Sequence, residues 1–349
     1  MPKLQRTFVI ADDLSGALDA SVSFVRYGHK VRVALSPDSI SSVIESDADV
    51  VAVNTGSREV SEAIARARLS AALKEIPQGS KIIKKIDSRL KGNICAETEE
   101  LLAHGFKKIL VAPAIPKLGR IVTDGKLSGT GISNPLDVAD VFTGLNVEVT
   151  IPDTVYDADL DTVVQSLAAD TLVVGASGVS SAIARSEAQV ICPFKIPKSE
   201  RVLIVIGSRD PITLTQIDTL LNARSDIGYI ACPNGYPPST QPNTKITLVQ
   251  LTQGSVRQPS ADVTSRFVLT VTDIIEHSKP DAIIASGGET AQEVLAILGV
   301  RSLVLVGEAR PGVPVSRPDI SGHELTLLTK SGGFGDRDIL LDLLSDIQK

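Results

Sequence analysis

Two adjacent aspartates, Asp12 and Asp13, follow an apolar run near the start of the sequence, in IADDLSGALDA at 10–20. The loop just past the carboxyl end of a strand is where doubly wound α/β sheets bind their ligands. One carboxylate could simply cap the helix that follows. Two adjacent carboxylates repel each other, so the pair needs a further reason, such as a cation, a polyol hydroxyl or a proton-transfer role.

Two further polar loops also follow β-branched runs, NTGSRE at 54–59 and the charged segment KKIDSRLKGN at 84–93, which includes Arg89. Most charged segments are only solvated surface, but these come directly after strands that look buried, where sites form. Arginine suits a carboxylate, whereas aspartate and asparagine suit hydroxyl groups. The pattern predicts a small, hydroxylated, anionic substrate.

Three loops in the second half of the chain are rich in glycine and serine: VIGSRD at 205–210, ASGGETA at 285–291 and KSGGFGD at 330–336. The last two lie between a predicted strand and a predicted helix. Backbone N–H groups and the helix dipole favour an anion there, and small residues let it approach closely. One such loop is commonly only a tight connection, whereas three in one domain suggest a polyphosphate cradle. The sequence contains neither a P-loop nor a GxGxxG dinucleotide fingerprint.

These loops need strands to position them, and short β-branched runs do alternate with helical patterns along the chain, which predicts βαβ units. The fold class expected is α/β, with two domains that each hold a mainly parallel sheet flanked by helices, and an active site in the inter-domain cleft. The segment CPFKIPKSE at 192–200 is predicted to link domains 1–198 and 199–349. The predicted strands lie at 7–11, 31–35, 50–54, 81–86, 108–112, 172–176, 201–207, 281–286, 302–307 and 324–329.

Length and composition exclude several classes of protein. A chain of 349 residues is too long for one ordinary core, so two domains are expected. The net charge of −6 argues against nucleic acid as a partner, and no apolar run is long enough to span a membrane. Three scattered cysteines indicate neither disulfides nor a zinc site. A reduced, cytoplasmic location is expected, and the sequence leaves homo-oligomer formation open.

Eight motifs occur in the order found in the four-carbon acid sugar kinases, a family that this chain resembles over nearly its whole length. The resemblance implies ATP-dependent phosphorylation of threonate, erythronate or an oxo-tetronate. Mg²⁺ would bridge the phosphates with few protein ligands, so no metal-ligating residues are predicted. The motifs are IADDLSGALDA, NTGSRE, KKIDSRLKGNICAE, APAIPKLGRIVTDG, GSRDPITLTQ, SGGETAQEVLAILG, PGVP and KSGGFGD.

The same resemblance implies that domain 1–198 binds the sugar acid and domain 199–349 binds the nucleotide. With Arg89 added from the charged segment, the substrate contacts expected are Asp12, Asp13, Arg58, Asp87, Arg89, Gly92 and Asn93. The nucleotide contacts expected are Ser208, Gly287, Gly288, Glu289, Thr290, Gly332, Gly333 and Gly335.

Individual roles follow from residue chemistry. Arg58 is expected to bind the substrate carboxylate, and Asp87 its hydroxyl groups. Asp13 first and Asp12 second are predicted as the catalytic base, with a pKa that the neighbouring carboxylate raises. The alternative function is a non-catalytic sensor that binds a sugar acid or a nucleotide.

Overall fold

The computed structural model of the protein describes residues 6–188, 190–240, 242–320 and 324–349. By packing, the chain divides into two compact units, Met1–Pro193 and Phe194–Lys349. Phe194 and Ile196 pack with the apolar core of the second unit, which is why this division falls a few residues before the predicted one at 198/199. The ligand roles predicted for the two domains stay predictions.

The elements of the first unit alternate as strand and helix for most of its length. The strands are β1 (Thr7–Ala11), β2 (Val31–Ala34), β3 (Val50–Asn54), β4 (Lys81–Lys85), β5 (Lys108–Ala112), β6 (Arg120–Thr123), β7 (Lys126–Gly129), β8 (Leu136–Asp137), β9 (Glu148–Thr150) and β10 (Thr171–Gly175). The helices are α1 (Leu14–Arg26), α2 (Ile40–Ile44), α3 (Glu62–Glu75), α4 (Ile94–Leu102), α5 (Asp157–Gln165) and α6 (Ser177–Ser186).

The main sheet of the first unit is parallel, with strand order β2-β3-β1-β4-β10-β5-β9. Its inner strands are apolar on both faces, as in β1 and β3, because helices cover both sides of such a sheet. Strand β1 lies between β3 and β4, so the strand order reverses there and a crevice opens at its carboxyl end. Strands β6, β7 and β8 form a separate antiparallel sheet.

The second unit repeats this architecture with an antiparallel edge. Its strands are β11 (Val202–Ile206), β12 (Ile227–Pro233), β13 (Ile246–Thr252), β14 (Ala282–Ser286), β15 (Ser302–Arg310), β16 (Val313–Pro318) and β17 (Thr326–Lys330). Its helices are α7 (Pro211–Ala223), α8 (Ser260–Ser278), α9 (Gly288–Ile297) and α10 (Ile339–Gln348).

Five strands of the second unit are parallel, in the order β12-β13-β11-β14-β17, and their carboxyl ends therefore share one edge. Strands β16 and β15 extend the sheet beyond β17 in antiparallel fashion. Each of the three glycine loops begins at this shared edge, after β11, β14 or β17. The strand order reverses between β11 and β14, which is where a doubly wound sheet binds its ligand.

The predicted α/β class, with mainly parallel sheets flanked by helices, is confirmed, and each predicted strand overlaps an observed one. Several strands were not predicted from the sequence, including β12 and β13. The active-site cleft between the domains stays a prediction. Within the described residues, no helix combines the length and apolar character needed to cross a membrane.

Candidate active site

The guanidinium group of Arg58 binds both aspartates of the first loop. Its Nε and Nη2 donate to the Asp12 carboxylate at 2.9 and 2.6 Å. Its Nη1 and Nη2 donate to Asp13 at 2.7 and 3.0 Å. Since β1 and β3 are neighbours, the loops that follow them meet at one edge of the sheet. The cation that two adjacent carboxylates require is thus the protein's own arginine.

Asp12 is the most enclosed member of this cluster, at 2% exposure. Burial acts to raise the pKa of its carboxyl group, but the hydrogen bonds from Arg58 and the charges of Lys84 and Lys85 outweigh burial and lower that pKa. The prediction that a neighbouring carboxylate raises the pKa is therefore wrong for Asp12. A buried carboxylate with a lowered pKa is a poor proton acceptor, so Asp12 acts as an anchor for Arg58.

Asp13 has two structural partners as well as an accessible surface. Its Oδ1 accepts a hydrogen bond from the Gly16 backbone N–H at 2.7 Å and thereby caps α1. A Cβ atom added at Gly16 would lie 2.5 Å from this oxygen, so glycine is needed for the close approach. The Asp13 side chain keeps 28% exposure, and so it can both cap the helix and reach a ligand.

Asp87 follows β4 and is the least engaged of the predicted carboxylates. Its Oδ1 accepts a hydrogen bond from the Arg89 backbone N–H at 2.8 Å, and its Oδ2 lies 4.0 Å from Arg58 Nη1. Gly92, with φ +95°, brings the same loop against Asp12, since an added Cβ would lie 3.0 Å from Asp12 Oδ2. The Asp87 carboxylate therefore retains an oxygen for a ligand next to the arginine cluster.

Asn93 supports the loop that carries Arg58. Its Nδ2 donates to the carbonyl oxygens of Ser57 and Val60 at 2.9 and 3.0 Å, which occupies both amide hydrogens. Beneath this loop, the buried Lys84 and Glu97 form an ion pair at 3.0 Å. Glu97 also accepts a hydrogen bond from Ser57 Oγ at 2.6 Å. Asn93 and the buried pair thus hold in place the loop that carries Arg58.

Arg120 belongs to this region although it was not predicted as a site residue. Its Nη1 donates to Ser88 Oγ at 2.5 Å, directly after Asp87, and its Nε donates to the Thr130 carbonyl at 2.8 Å. Burial, followed by the charge of the exposed Arg89, lowers the pKa of Arg120. The charges of Arg89 and Arg120 thus act on each other, and a bound anion would relieve this repulsion. The sequence signal that could have indicated Arg120 as a site residue is the motif APAIPKLGRIVTDG, which contains it.

The three glycine loops of the second unit contact one another at the carboxyl edge of the sheet. The Gly207 N–H donates to the Ser286 carbonyl at 3.1 Å, and the Gly287 N–H donates to the Lys330 carbonyl at 3.0 Å. Gly287 has φ +118° and is followed by Gly288, the first residue of α9. The predicted nucleotide residues are thus brought together around the start of a helix, where N–H groups attract an anion.

Packing between these loops explains part of their glycine content. A Cβ atom added at Gly332 would lie 2.2 Å from Ser208 Oγ, and one added at Gly333 would lie 2.8 Å from Asp210 Oδ2. A Cβ atom at Gly207 would lie 1.8 Å from the Oγ1 atom of the buried Thr290. Close packing of the loops therefore requires small residues here, and the close approach of a phosphate stays a prediction.

Lys330 organises the KSGGFGD loop from within, and its side chain is only 1% exposed. Burial lowers the pKa of its ammonium group to about 8, although the charge of Asp210 acts to raise it. Hydrogen bonds from the ammonium group offset the partial negative charge of three loop carbonyls, which would otherwise oppose an anion at the loop. The Nζ atom donates at 2.9, 2.9 and 3.0 Å to the carbonyls of Ser331, Gly332 and Phe334.

The remaining predicted nucleotide-binding residues, Glu289 and Gly335, lie near the N-terminal ends of two helices. Glu289 is exposed in the first turn of α9. Gly335 has φ +87° and packs on Ile339 at the start of α10. The Phe334 ring lies against Gly312 of the PGVP motif, where an added Cβ atom would lie 2.5 Å from the ring. In the part of the chain that the structure describes, no three His, Cys, Asp or Glu side chains form a group that could hold a metal ion.

Two family models match this chain, one in each unit. Residues 7–140 match the family model for a sugar-binding N-terminal domain, and residues 237–340 match that for a nucleotide-binding C-terminal domain. The D-threonate kinase of Salmonella typhimurium is 25% identical over 99% of both chains. The chain belongs to the four-carbon acid sugar kinase family.

Two further proteins also match this chain over nearly its whole length. The 3-oxo-tetronate kinase of Pseudomonas fluorescens is 26% identical over 97% of this chain and 96% of its own length. The crystal structure of a Haemophilus influenzae protein of the DUF1537 family superposes with a TM-score of 0.72 at 18% identity. That match covers 97% of this chain and 100% of the other, and it supports the fold alone. Relatives with different named substrates fit about equally well.

Proposed function

We propose that this protein is an ATP-dependent kinase that phosphorylates a hydroxyl group of a small, four-carbon sugar acid. The observation that carries the proposal is that one chain holds an arginine-bridged carboxylate cluster and a glycine-lined cradle, each at the carboxyl edge of a parallel sheet. Relatives that match over nearly their whole length are named as kinases of threonate and 3-oxo-tetronate. A kinase needs both sites, whereas a simple binding protein needs one.

The sugar acid binds at the first-unit cluster in this proposal. Arg58 has five N–H groups, and four of them already donate to Asp12 and Asp13. We therefore assign the substrate carboxylate to Arg89 and Arg120 instead of Arg58. The substrate hydroxyl groups bind Asp13 and Asp87, which have accessible carboxylate surface.

Asp87 is proposed as the general base, ahead of Asp13. As the substrate oxygen attacks the γ-phosphorus of ATP, its proton passes to Asp87 Oδ2, and the bond to the β-phosphate oxygen breaks to release ADP. Asp12 is unsuited to this step because it is buried and its pKa is lowered. Proton removal comes late in a loose phosphoryl-transfer reaction, so positioning contributes more than basicity.

The ATP phosphates bind the backbone N–H groups of the three glycine loops in this proposal. Lys330 supports the cradle indirectly through the loop carbonyls. Mg²⁺ usually keeps several waters and binds mainly through substrate phosphates, so it would arrive with ATP and neutralise the charge that develops there.

The direct test is ADP release with a panel of D-threonate, D-erythronate and 3-oxo-tetronate, each supplied with Mg-ATP. We expect ADP release that depends on at least one acid, with none from threitol, which has the hydroxyl groups but lacks the carboxylate. The phosphorylated product should appear in equal amount to ADP. Calorimetric binding of an acid and of ATP without any ADP release would contradict the kinase and indicate a sensor.

A further inference from the structure

A cavity of about 470 Å³ opens beside the phosphate cradle, within the second unit. It is formed by the loops that follow β12 and β13, and its volume lies in the range of small-molecule sites. Its lining is largely apolar, as is usual for a site that holds a flat ring. The residues that shape it include Pro233, Asn234, Tyr236, Pro238, Gly254 and Val256.

The loops around this cavity are held in place before any ligand binds. Asn234, with φ +50°, bridges them: its Oδ1 accepts a hydrogen bond from the Gly254 N–H at 3.2 Å, and its Nδ2 donates to the Val256 carbonyl at 2.9 Å. Gly235 sits so close to α8 that an added Cβ atom would lie 2.7 Å from its backbone. A preformed cavity loses little ordering entropy when a ligand enters.

Tyr236 supplies an aromatic surface at the cavity, and the residue is 56% exposed. The guanidinium carbon of Arg266 lies 4.9 Å from its ring centroid and covers one face of the ring. Arg266 is itself fixed by a hydrogen bond from its Nε to the Asn234 carbonyl at 3.1 Å. The tyrosine therefore offers its second face as a rigid stacking surface.

The position of the cavity relative to the glycine loops fits one elongated ligand. All five parallel strands end at the same edge, and the order β12-β13-β11-β14 separates the β12 loop, which carries Tyr236, from the β14 loop by three strand spacings. At about 4.8 Å per spacing this separation is roughly 14 Å. A nucleoside triphosphate must span a comparable distance between its base and its terminal phosphate.

We propose that this cavity binds the nucleobase of ATP, stacked on the open face of Tyr236, while the triphosphate extends along the sheet edge to the glycine loops. The inference rests on the proposed kinase function and adds a subsite that neither the glycine loops nor their motifs predict. It also gives a role to the segment 233–238, which contains three prolines and borders this apolar cavity at the carboxyl edge of the sheet.

The test compares ATP with inorganic tripolyphosphate, which has the phosphates but no base, by calorimetry on the full chain. Tyr236→Ala should raise the Kd for ATP about tenfold, the usual effect of losing one base–aromatic stack. Its Kd for tripolyphosphate should not change. Tyr236→Phe, which keeps the ring, should bind ATP like the wild type. Tyr229→Ala is the matched control, because Tyr229 is an exposed tyrosine on β12 that lies outside the cavity lining.

Each outcome separates this subsite from the kinase function. Wild-type ATP affinity in Tyr236→Ala overturns the nucleobase assignment, and so does an equal loss of ATP and tripolyphosphate affinity, which would indicate a structural role. Binding of ATP by the wild type no more tightly than tripolyphosphate overturns the subsite but leaves the phosphate cradle standing. A wild-type protein that binds neither ligand overturns both proposals. Circular dichroism of each variant checks that it is folded.

Discussion

At the scale of single residues, Arg58 was expected from the sequence to bind the substrate carboxylate. In the structure, four of its five N–H groups donate to Asp12 and Asp13. The loops after β1 and β3 were predicted to carry site residues, and the structure brings those residues together because the loops follow adjacent parallel strands. The direction of the guanidinium group was not predictable, since it depends on the sheet order that places Asp12 and Asp13 opposite Arg58. Arg120 was missed for a similar reason, because β6 lies outside the main sheet.

Replacing Arg58 should destabilise the first unit. In Arg58→Ala the buried Asp12 loses its partner, and breaking a buried ion pair lowers the free energy of unfolding by about 3 kcal/mol. The wild-type pKa of Asp12 is lowered, so its stabilising effect is present above pH 4 and is lost only as pH falls through that lower pKa. In the variant only Lys84 and Lys85 still oppose the effect of burial, so the pKa of Asp12 rises and protonation relieves the penalty. The deficit should be largest at pH 7 and shrink towards pH 5.

Urea unfolding at both pH values measures this effect. Lys30→Ala serves as a control because it removes an ion pair with Asp47 in which both side chains are exposed, and such pairs contribute little. Its unfolding midpoint should stay near that of the wild type. A deficit in Arg58→Ala that does not depend on pH would contradict the account of Asp12.

Asp87 and Asp13 can be separated as bases by isosteric variants. Asn at position 87 still accepts the Arg89 N–H but cannot take a proton, so Asp87→Asn should lower the turnover number about a hundredfold, the low end for a general base in a loose transition state. Asn at position 13 still caps α1, so Asp13→Asn should lose much less. Turnover is measured at saturating ATP and sugar acid. The reverse order would restore Asp13 as the base.

At the scale of elements, the KSGGFGD loop has one proposed and one observed reason for its glycines. Phosphate approach was inferred from the place of the loop between a strand and a helix; that place is as expected, and the phosphate contact stays a proposal. The observed reason, close packing against Ser208 and Asp210, could not be predicted because it depends on which strands are neighbours. Strand β12 escaped prediction because it contains Gly228 and ends at Pro233, and both residue types are unfavourable within strands. The cavity beside it escaped prediction with it.

The pH dependence of ATP binding should report on the Lys330 ammonium group. Its pKa is lowered to about 8, so it is charged at pH 7 and largely neutral at pH 9. A neutral amine has two N–H donors for three carbonyls, and the loss of one hydrogen bond corresponds to about a fivefold rise in the Kd for ATP. Lys330→Met cannot titrate. It should bind ATP more weakly than the wild type at pH 7, and its own Kd for ATP should be the same at pH 9 as at pH 7. Calorimetry at both pH values gives the comparison, and parallel pH profiles for the two proteins would refute this role for Lys330.

At the scale of the whole molecule, the domain roles rest on chemistry that each unit carries separately. The first unit holds the carboxylates and arginines that suit a hydroxylated acid, and the second holds the glycine cradle. A ligand stabilises the unit that binds it, by about 2.7 kcal/mol at a concentration of one hundred times its Kd. Such stabilisation slows amide hydrogen exchange in that unit, because its protected amides exchange through opening reactions that the ligand suppresses.

Hydrogen exchange read by mass spectrometry therefore tests the division of roles. The sugar acid alone should protect peptides of Met1–Pro193, above all those that contain β1, β3 and β4. ATP alone should protect peptides of Phe194–Lys349, above all the loops after β11, β14 and β17. Threitol and inorganic phosphate, at the same concentrations, are the controls for nonspecific effects of solutes. Protection by the sugar acid in the second unit, with ATP protecting the first, would reverse the roles proposed for the two units.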